Sequence, residues 1–303
     1  MAAGLERSNR RTGHNANMRY TIWLLETLRA SQMAVSSGQL ADRFEQARTI
    51  EEGTDYVQFP AETLAFRNGS SRDFSLLAAA CLEGVGINCA FIKTENDLLL
   101  AVSLDITQAA AETLFNNTDK ILIVDDNVWL PLSMTAFNEG FNSSWTKGAG
   151  ILKQAFAGNE TMDFVILHDA WTSYPPAPLP ELGRSDIRTD ISAATAAVNS
   201  AMQTYIQQEI NPIIQRTLAQ TNSAAQQNRL GILYARAGRI PEAKAAYERA
   251  AGLGSVPAMT NRGSLALTEN DYSTAEKWFT QALQREPKNA SALRGMTQVQ
   301  GNR

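Results

Sequence analysis

Apolar residues recur at helical spacing in two segments of the N-terminal half. The first segment predicts a packing helix over residues 17–33. The second predicts a helix that begins at Ser70 or Ser71 and runs to Glu83, with a serine hydroxyl capping its free N–H groups and one side buried. The apolar stripes of these two helices are Tyr20, Leu24 and Leu28, and Phe74, Leu77, Ala78 and Cys81.

Two short polar stretches inside apolar runs predict β-hairpins, because turn-favouring residues separate segments of strand composition. The expected strands are 88–93 and 98–104, joined by Thr94-Glu95-Asn96-Asp97, and 120–124 and 128–134, joined by Asp125-Asp126-Asn127. An alanine-rich helix at 107–115 is expected between the hairpins. Helices beside antiparallel strands predict an α+β fold for this half of the chain.

A proline-rich stretch, residues 171–180, contains four of the ten prolines and is expected to be extended. Its commoner role is a stiff connector, although a Pro-Pro-x-Pro segment can also be a ligand for a polyproline-reading domain. We therefore predict a domain over residues 17–182 and a helical domain over 183–303, with residues 1–16 as a disordered tail. In the second domain Pro212 is expected to end or kink the helix that starts near Asp190.

A pattern of small and aromatic residues repeats after 32 positions, as the pair Gly231 and Gly263 shows. The first unit contains Leu230-Gly231, Tyr234, Ala243, Tyr247 and Ala250, and the second contains Arg262-Gly263, Ala266, Ala275, Phe279 and Ala282, with Pro287 at its end. This pattern resembles the tetratricopeptide repeat, a helix–turn–helix unit of ~34 residues. It predicts repeats at about 224–255 and 256–289, followed by a capping helix at 289–299.

The resemblance to tetratricopeptide repeats implies a groove that binds a protein or peptide, lined by the first helix of each repeat. The residues expected to line it are Asn228, Ile232, Arg236, Thr260, Ser264 and Thr268. The alternative is that these are solvated helix residues, because two units shape little of a groove.

Composition excludes several other classes. Lys and Arg number 27 against 31 Asp and Glu, a formal charge of −4, so the chain has no electrostatic basis for binding nucleic acid. No apolar run approaches the ~18 residues of a membrane helix. The two cysteines, Cys81 and Cys89, and two histidines, His14 and His168, predict neither a disulfide framework nor a metal site, and no cofactor is expected.

Residues 57–104 and 128–150 also resemble the bacterial transglutaminase-like, papain-like domain. The residues that carry the likeness are Gln58-Phe59-Pro60-Ala61-Glu62, Arg67-Asn68-Gly69-Ser70-Ser71-Arg72-Asp73, Leu82-Glu83-Gly84-Val85-Gly86, Trp129-Leu130-Pro131-Leu132-Ser133, Gly140-Phe141, Trp145, Trp171 and Tyr174-Pro175-Pro176. The resemblance implies helices packed on an antiparallel sheet. It also implies a periplasmic or envelope location rather than a cytoplasmic one, although the compartment stays open.

The same resemblance implies a catalytic triad that this chain has lost. Ser71 stands where the family has its nucleophilic cysteine, Asp97 where it has the histidine base, and Ser133 where it has the orienting acid. A serine hydroxyl needs a positioned base, and a carboxylate of pKa ~3.9 is too weak to take its proton at neutral pH. The alternative interpretation is that these residues have only structural roles: Ser71 caps a helix, Asp97 lies in a loop and Ser133 is an exposed strand residue.

These observations predict a non-catalytic scaffold in which the repeats bind a partner protein; its oligomeric state is left open. One alternative is a hydrolase or acyltransferase that uses Ser71 with Asp73 or Asp97 as base. Another is a sensor that binds a peptide or small ligand in the retained cleft, since helix N-termini attract carboxylates and carbonyls.

Overall fold

The computed structural model describes residues 15–36, 57–175, 189–220 and 222–302. They form two compact units, one from the described residues of 15–113 and 117–205, and one from those of 114–116 and 206–302. The first unit combines helices with a sheet, and the second unit is helical. This agrees with the predicted α+β fold followed by a C-terminal helical region. The predicted tail, except for its last two residues, and the predicted boundary at 182 lie outside the described residues.

The sheet of the first unit is antiparallel, with strand order β5-β6-β4-β3-β7. The strands of this unit are β1 (Ala34–Val35), β2 (Asn68–Gly69), β3 (Cys89–Lys93), β4 (Leu98–Thr107), β5 (Leu122–Val124), β6 (Asn127–Leu132) and β7 (Asp163–Ile166). Both predicted hairpins are confirmed: Lys93 pairs with Leu98, and Val124 pairs with Asn127. The short strands β1 and β2 form a separate parallel pair, which the sequence pattern did not predict.

Seven helices lie in the described part of the first unit. They are α1 (Ala16–Ala30), α2 (Pro60–Phe66), α3 (Ser71–Glu83), α4 (Gln108–Ala111), α5 (Phe141–Gly158), α6 (Leu167–Ser173) and α7 (Ile191–Tyr205). Helix α3 has the predicted bounds and packs against β3 and β4. Its cap is Ser70: the Ser70 Oγ accepts the Asp73 N–H at 3.3 Å, and the Asp73 carboxylate accepts the Ser70 N–H at 2.7 Å. Ser71 is therefore the first helical residue and not the cap.

Helix α1 is shorter than predicted and turns a different face to the core. Gln32, with φ of +61°, ends it early and lets the chain turn into β1. Tyr20 and Leu24, two of the three predicted stripe positions, are only partly buried. The buried apolar face is Met18, Ile22, Leu25 and Leu28.

A buried carboxylate on α1 caps α5. Helix α5 follows Gly140, which has no side chain to cap it; instead Glu26 Oε1 accepts the Phe141 N–H at 2.8 Å. The other oxygen, Oε2, pairs with Arg29 at 2.6 Å. A β carbon on Gly140 would lie 2.8 Å from Glu26 Oε1, and Gly140 also has φ of +98°, so both space and conformation require glycine there.

Two further sequence expectations are wrong. The helix predicted at 107–115 is limited to the four residues of α4. The stretch predicted to be extended from Trp171 begins as helix: Trp171–Ser173 belong to α6, because the first proline comes only at Pro175 and leaves the preceding turn free to form. Residues 176–188 lie outside the described residues.

The second unit contains antiparallel helix pairs. Its helices are α8 (Asn211–Leu218), α9 (Ala224–Arg236), α10 (Ile240–Gly252), α11 (Val256–Thr268), α12 (Tyr272–Arg285) and α13 (Ala290–Gly301). A π-helical turn, Ile206–Ile210, precedes α8, and Pro212 lies in the first turn of α8, where a proline costs no hydrogen bond. The chain stays helical from residue 191 to 218, so the helix does not end at Pro212; the predicted kink stays a prediction.

Close contact between glycines and aromatic rings holds the repeats together. The Tyr247 ring of α10 covers Gly231 of α9, and the Phe279 ring of α12 covers Gly263 of α11. Phe279 also lies against Gly295 of α13. These rings and the buried alanines around them allow neighbouring helices to approach closely.

Candidate functional site

Ser71 lies in the first turn of α3, and its position is held by the cap beside it. Asp73 is buried and accepts three hydrogen bonds, from the Gln58 N–H at 2.9 Å, the Ser70 N–H at 2.7 Å and the Ser70 hydroxyl at 2.8 Å. The Ser71 carbonyl accepts the Ser75 hydroxyl at 2.9 Å. The carboxylate closest in sequence to Ser71 therefore serves to cap the helix.

Asp97 and Ser133 lie at the same end of two neighbouring strands. Asp97 directly precedes β4, and Ser133 directly follows β6, whose last residue, Leu132, pairs with Leu100. Asp97 closes the β3–β4 loop, since its N–H donates to Thr94 Oγ1 at 3.0 Å and its carbonyl accepts the Thr94 N–H at 3.0 Å. The loop interpretation of Asp97 is thus confirmed.

Ser133 is not the exposed strand residue that the sequence suggested. It is only 1% exposed, because the start of α5 covers it: its N–H donates to the Ser144 carbonyl at 3.0 Å. Its hydroxyl bonds Thr135 at 2.7 Å. The sequence shows no apolar stripe that would have predicted helix α5. The burial of Ser133 beneath this helix therefore could not be predicted from the sequence pattern.

Helix α3 points its first turn to this same end. Phe74 packs on Phe137, which follows Ser133 in the 3-10 turn Met134–Glu139, with ring centroids 4.6 Å apart. At the opposite end of α3, Glu83 accepts the Cys89 N–H at 2.6 Å. Ser71, Asp97 and Ser133 therefore share one end of the unit, but within the described residues no hydrogen bond joins any two of them.

The histidine that the structure describes lies at the other end of the sheet. β7 pairs with β3 so that Ile166 faces Ala90, and His168 follows in α6 beyond that pair. Strand β3 separates it from the Asp97 end by about 13 Å at ~3.3 Å per residue. His168 is exposed, and its ring contacts Trp171 with centroids 5.5 Å apart. Residue 14, the other histidine position, lies outside the described residues.

Neither cysteine offers a reactive thiolate. Burial raises the pKa of Cys81, and burial together with the Glu83 carboxylate raises the pKa of Cys89. Both thiols are therefore protonated at neutral pH and are weak nucleophiles. In the described part of the chain, no three His, Cys, Asp or Glu side chains are placed to hold a metal ion.

The second unit presents an open face along the first helices of its repeats. Helices α9, α11 and α13 lie side by side, and Asn261 Nδ2 donates to Asn228 Oδ1 at 2.9 Å between the first two. Each of these helices has one glycine that contacts an aromatic ring. The solvent-facing residues lie two positions before that glycine, one position after it and five positions after it. These positions are Arg229, Ile232 and Arg236 on α9, Asn261, Ser264 and Thr268 on α11, and Leu293, Met296 and Gln300 on α13. We call these nine residues the open face.

The structure places four of the six predicted groove residues on the open face: Ile232, Arg236, Ser264 and Thr268. Asn228 lies beside it. Thr260 is buried, and its hydroxyl donates to the Pro257 carbonyl at 2.8 Å, so it offers little to a ligand.

Sequence reasoning missed Arg229, Asn261 and the residues of α13. The prediction followed steps of four residues, which drift around a helix of 3.6 residues per turn. A third glycine, Gly295, follows Gly263 by 32 positions and was the signal that α13 continues the repeat pattern.

These paired helices define the second unit as a helical-repeat module of the kind that mediates protein interactions. Residues 256–289, which contain α11 and α12, are a tetratricopeptide repeat by their match to that family model. No curated protein and no solved structure matched the chain. No helix among the described residues is long and apolar enough to cross a bilayer.

Proposed function

We propose that this protein is a non-catalytic interaction protein whose repeats bind a protein or peptide segment. The observation that carries the proposal is the open face of α9, α11 and α13, which includes the first helix of the matched tetratricopeptide repeat. Its exposed and half-buried polar side chains can bond a peptide backbone, and the half-buried Ile232 and the exposed Leu293 offer apolar contact. Stacked first helices are the surface on which such repeats bind their ligands.

The binding proposal can be tested with peptides selected from a display library against the full chain. Binding is then measured by calorimetry for the wild type and for Ser264→Trp, which places a large ring on the open face. Ser273→Trp is the matched control, because Ser273 is exposed on the second helix of the same repeat. We expect Ser264→Trp to weaken binding at least about tenfold and Ser273→Trp to leave it nearly unchanged. Equal binding by both variants, or no selected peptide, would contradict the proposal.

We further propose that the first unit is a transglutaminase-like domain that no longer catalyses. Three features support this: Ser71, Asp97 and Ser133 supply no sulfur or imidazole, Asp73 is engaged by Ser70 and Gln58, and His168 lies at the far end of the sheet. A hydroxyl without a positioned base is a poor nucleophile.

Covalent labelling with serine-reactive probes tests the non-catalytic proposal. Incubation with a fluorophosphonate and with activated esters, followed by mass spectrometry, should leave Ser71 unmodified. An acyl or phosphonyl adduct on Ser71, or a hydrolytic activity that Ser71→Ala abolishes, would overturn it.

A further inference from the structure

Three residues from the first half of the chain belong to the second unit. Leu114, Phe115 and Asn116 group with the helices after residue 205, whereas the residues on both sides of them group with the first unit. The side chains of Leu114 and Phe115 are only 5% and 2% exposed. We call these three residues the strap. The chain thus enters the helical unit briefly, far ahead of the helices that form it.

Hydrogen bonds attach the strap to the π-helical turn and to α8. The Asn116 N–H donates to Glu209 Oε2 at 2.9 Å, and Arg216 Nη1 donates to Asn116 Oδ1 at 2.6 Å. Glu209 lies in the π-helical turn and is 1% exposed, whereas Arg216 is exposed on α8. A hydrogen bond to a charged group is stronger than one between neutral groups, above all where water is excluded. The strap is therefore held by one buried and one exposed hydrogen bond, in addition to its two buried side chains.

The segment that receives the strap depends on tertiary contacts for its stability. The π-helical turn, Ile206–Ile210, has a hydrogen-bond pattern that is rare in proteins, and it separates α8 from the regular α-helix before it. Helix α8 contains only eight residues, Asn211–Leu218, and short helices need packing to stay folded in water. Ile210, Ile213 and Ile214 are buried, so this segment requires apolar cover.

Helix α8 in turn covers the start of the repeats. It packs against α9, and the Thr217 carbonyl of α8 accepts a hydrogen bond from Gln226 Nε2 of α9. Both Thr217 and Gln226 are buried. Each helical repeat buries its apolar surface only against its neighbours, so the end of an array needs a cover. Loss of order in α8 would therefore expose the beginning of α9.

We propose that the strap is a conformational device that keeps the start of the helical unit folded. When the strap is bound, the π-helical turn and α8 are ordered and α8 covers α9. When the strap is withdrawn, residues 206–218 lose their order while α11, α12 and α13 remain folded, since local segments of a protein can open separately. The first repeat therefore depends on three residues that the chain supplies from the sequence of the first unit. This inference is independent of peptide binding by the open face.

Amide hydrogen exchange of the full chain, followed by mass spectrometry, tests the role of the strap. Phe115→Ala removes the buried ring, and we expect exchange in residues 206–218 to become at least about tenfold faster. Exchange in α11, α12 and α13 should stay within about twofold of the wild type. Leu130→Ala is the control, because Leu130 is buried in β6 of the first unit. It should speed exchange in the sheet and leave residues 206–218 nearly unchanged.

A surface substitution tests the same contact without disturbing a core. Arg216→Ala removes the donor to Asn116 Oδ1 and should speed exchange in residues 206–218 by about two- to fivefold. Gln215→Ala is its matched control, since Gln215 is also exposed on α8 and is the preceding residue. We expect Gln215→Ala to leave exchange in this segment as it is in the wild type. Because Arg216 is exposed, this comparison decides the question if Phe115→Ala does not fold.

Three results would overturn the role of the strap. If Phe115→Ala speeds exchange in β4 and β6 but not in residues 206–218, Phe115 supports the first unit alone. If Leu130→Ala speeds exchange in residues 206–218 as much as Phe115→Ala does, the effect is a general loss of stability. If Arg216→Ala and Gln215→Ala give the same exchange in this segment, the bond to Asn116 does not hold it.

Discussion

The ring of Phe279 lies on Gly263, with its Cε1 atom 2.8 Å from the place a β carbon on Gly263 would occupy. We expect Gly263→Ala to lower the free energy of unfolding by about 1–3 kcal/mol, because the clash in a packed core outweighs the helix propensity that alanine gains. Urea unfolding followed by circular dichroism measures the change.

Gly252→Ala is the control for that substitution. Gly252 also lies in a helix of the repeats, but a β carbon there would have no neighbour within 4 Å. It should be neutral or stabilising by up to about 1 kcal/mol. If Gly263→Ala is as stable as Gly252→Ala, the ring contact is not as tight as described.

Glu26 is expected to be a large contributor to the stability of the first unit. Its buried carboxylate holds both the Arg29 guanidinium and the first N–H of α5, so Glu26→Ala leaves both groups without their partner. Water can solvate the Arg29 side chain, which is 38% exposed, but cannot replace the partner of the buried Phe141 N–H, so we expect a loss of about 1–3 kcal/mol in thermal or urea unfolding. Glu242→Ala, which breaks the exposed Arg239 pair, should cost no more than about 1 kcal/mol. Similar losses from the two substitutions would contradict a capping role for Glu26.

Arg262 occupies the position where the first repeat has Leu230, and we expect Arg262→Leu to stabilise the protein. The side chain is only 8% exposed, its Nη1 has no hydrogen-bond partner in the described structure, and its Nε pairs with a half-exposed Glu248. Replacing a buried ion with an apolar group of similar volume is often neutral or stabilising by about 1–4 kcal/mol. A fall in the unfolding midpoint would instead show that the ion pair supports the fold.

Stability should fall in alkali, and Cys89 should account for part of the fall. Burial and Glu83 raise the pKa of Cys89 in the folded protein, whereas the unfolded thiol ionises near pH ~8.5. This contribution to stability is complete below that pH and is lost as pH rises, by about 1.4 kcal/mol per pH unit. Between about pH 8.5 and 10, Cys89→Ala should show a shallower decline than the wild type. Parallel pH profiles would exclude Cys89 as the cause.

Local periodicity explains which elements could be predicted. Helix α3 has both an apolar stripe and the Ser70–Asp73 capping box, and the repeats carry Gly231 and Gly263 in equivalent places, so sequence alone set their bounds to within a few residues. Helix α5 escaped prediction because it starts after Gly140 without a local cap, and its cap comes from Glu26, 115 residues earlier. Such a signal exists only once the chain has folded.

For the candidate sites, the sequence determined which chemical groups are present: hydroxyls and a carboxylate at 71, 97 and 133, and a 32-residue repeat with arginine-bearing first helices. Tertiary structure decided their surroundings. Ser133 is buried beneath α5, and Asp73 forms the helix cap with Ser70. On the first helices of the repeats, Arg229 is exposed to solvent, whereas the predicted groove residue Thr260 is buried. The reason is that residue type sets the chemistry a side chain can perform, whereas exposure and hydrogen-bond partners depend on packing between elements far apart in the chain.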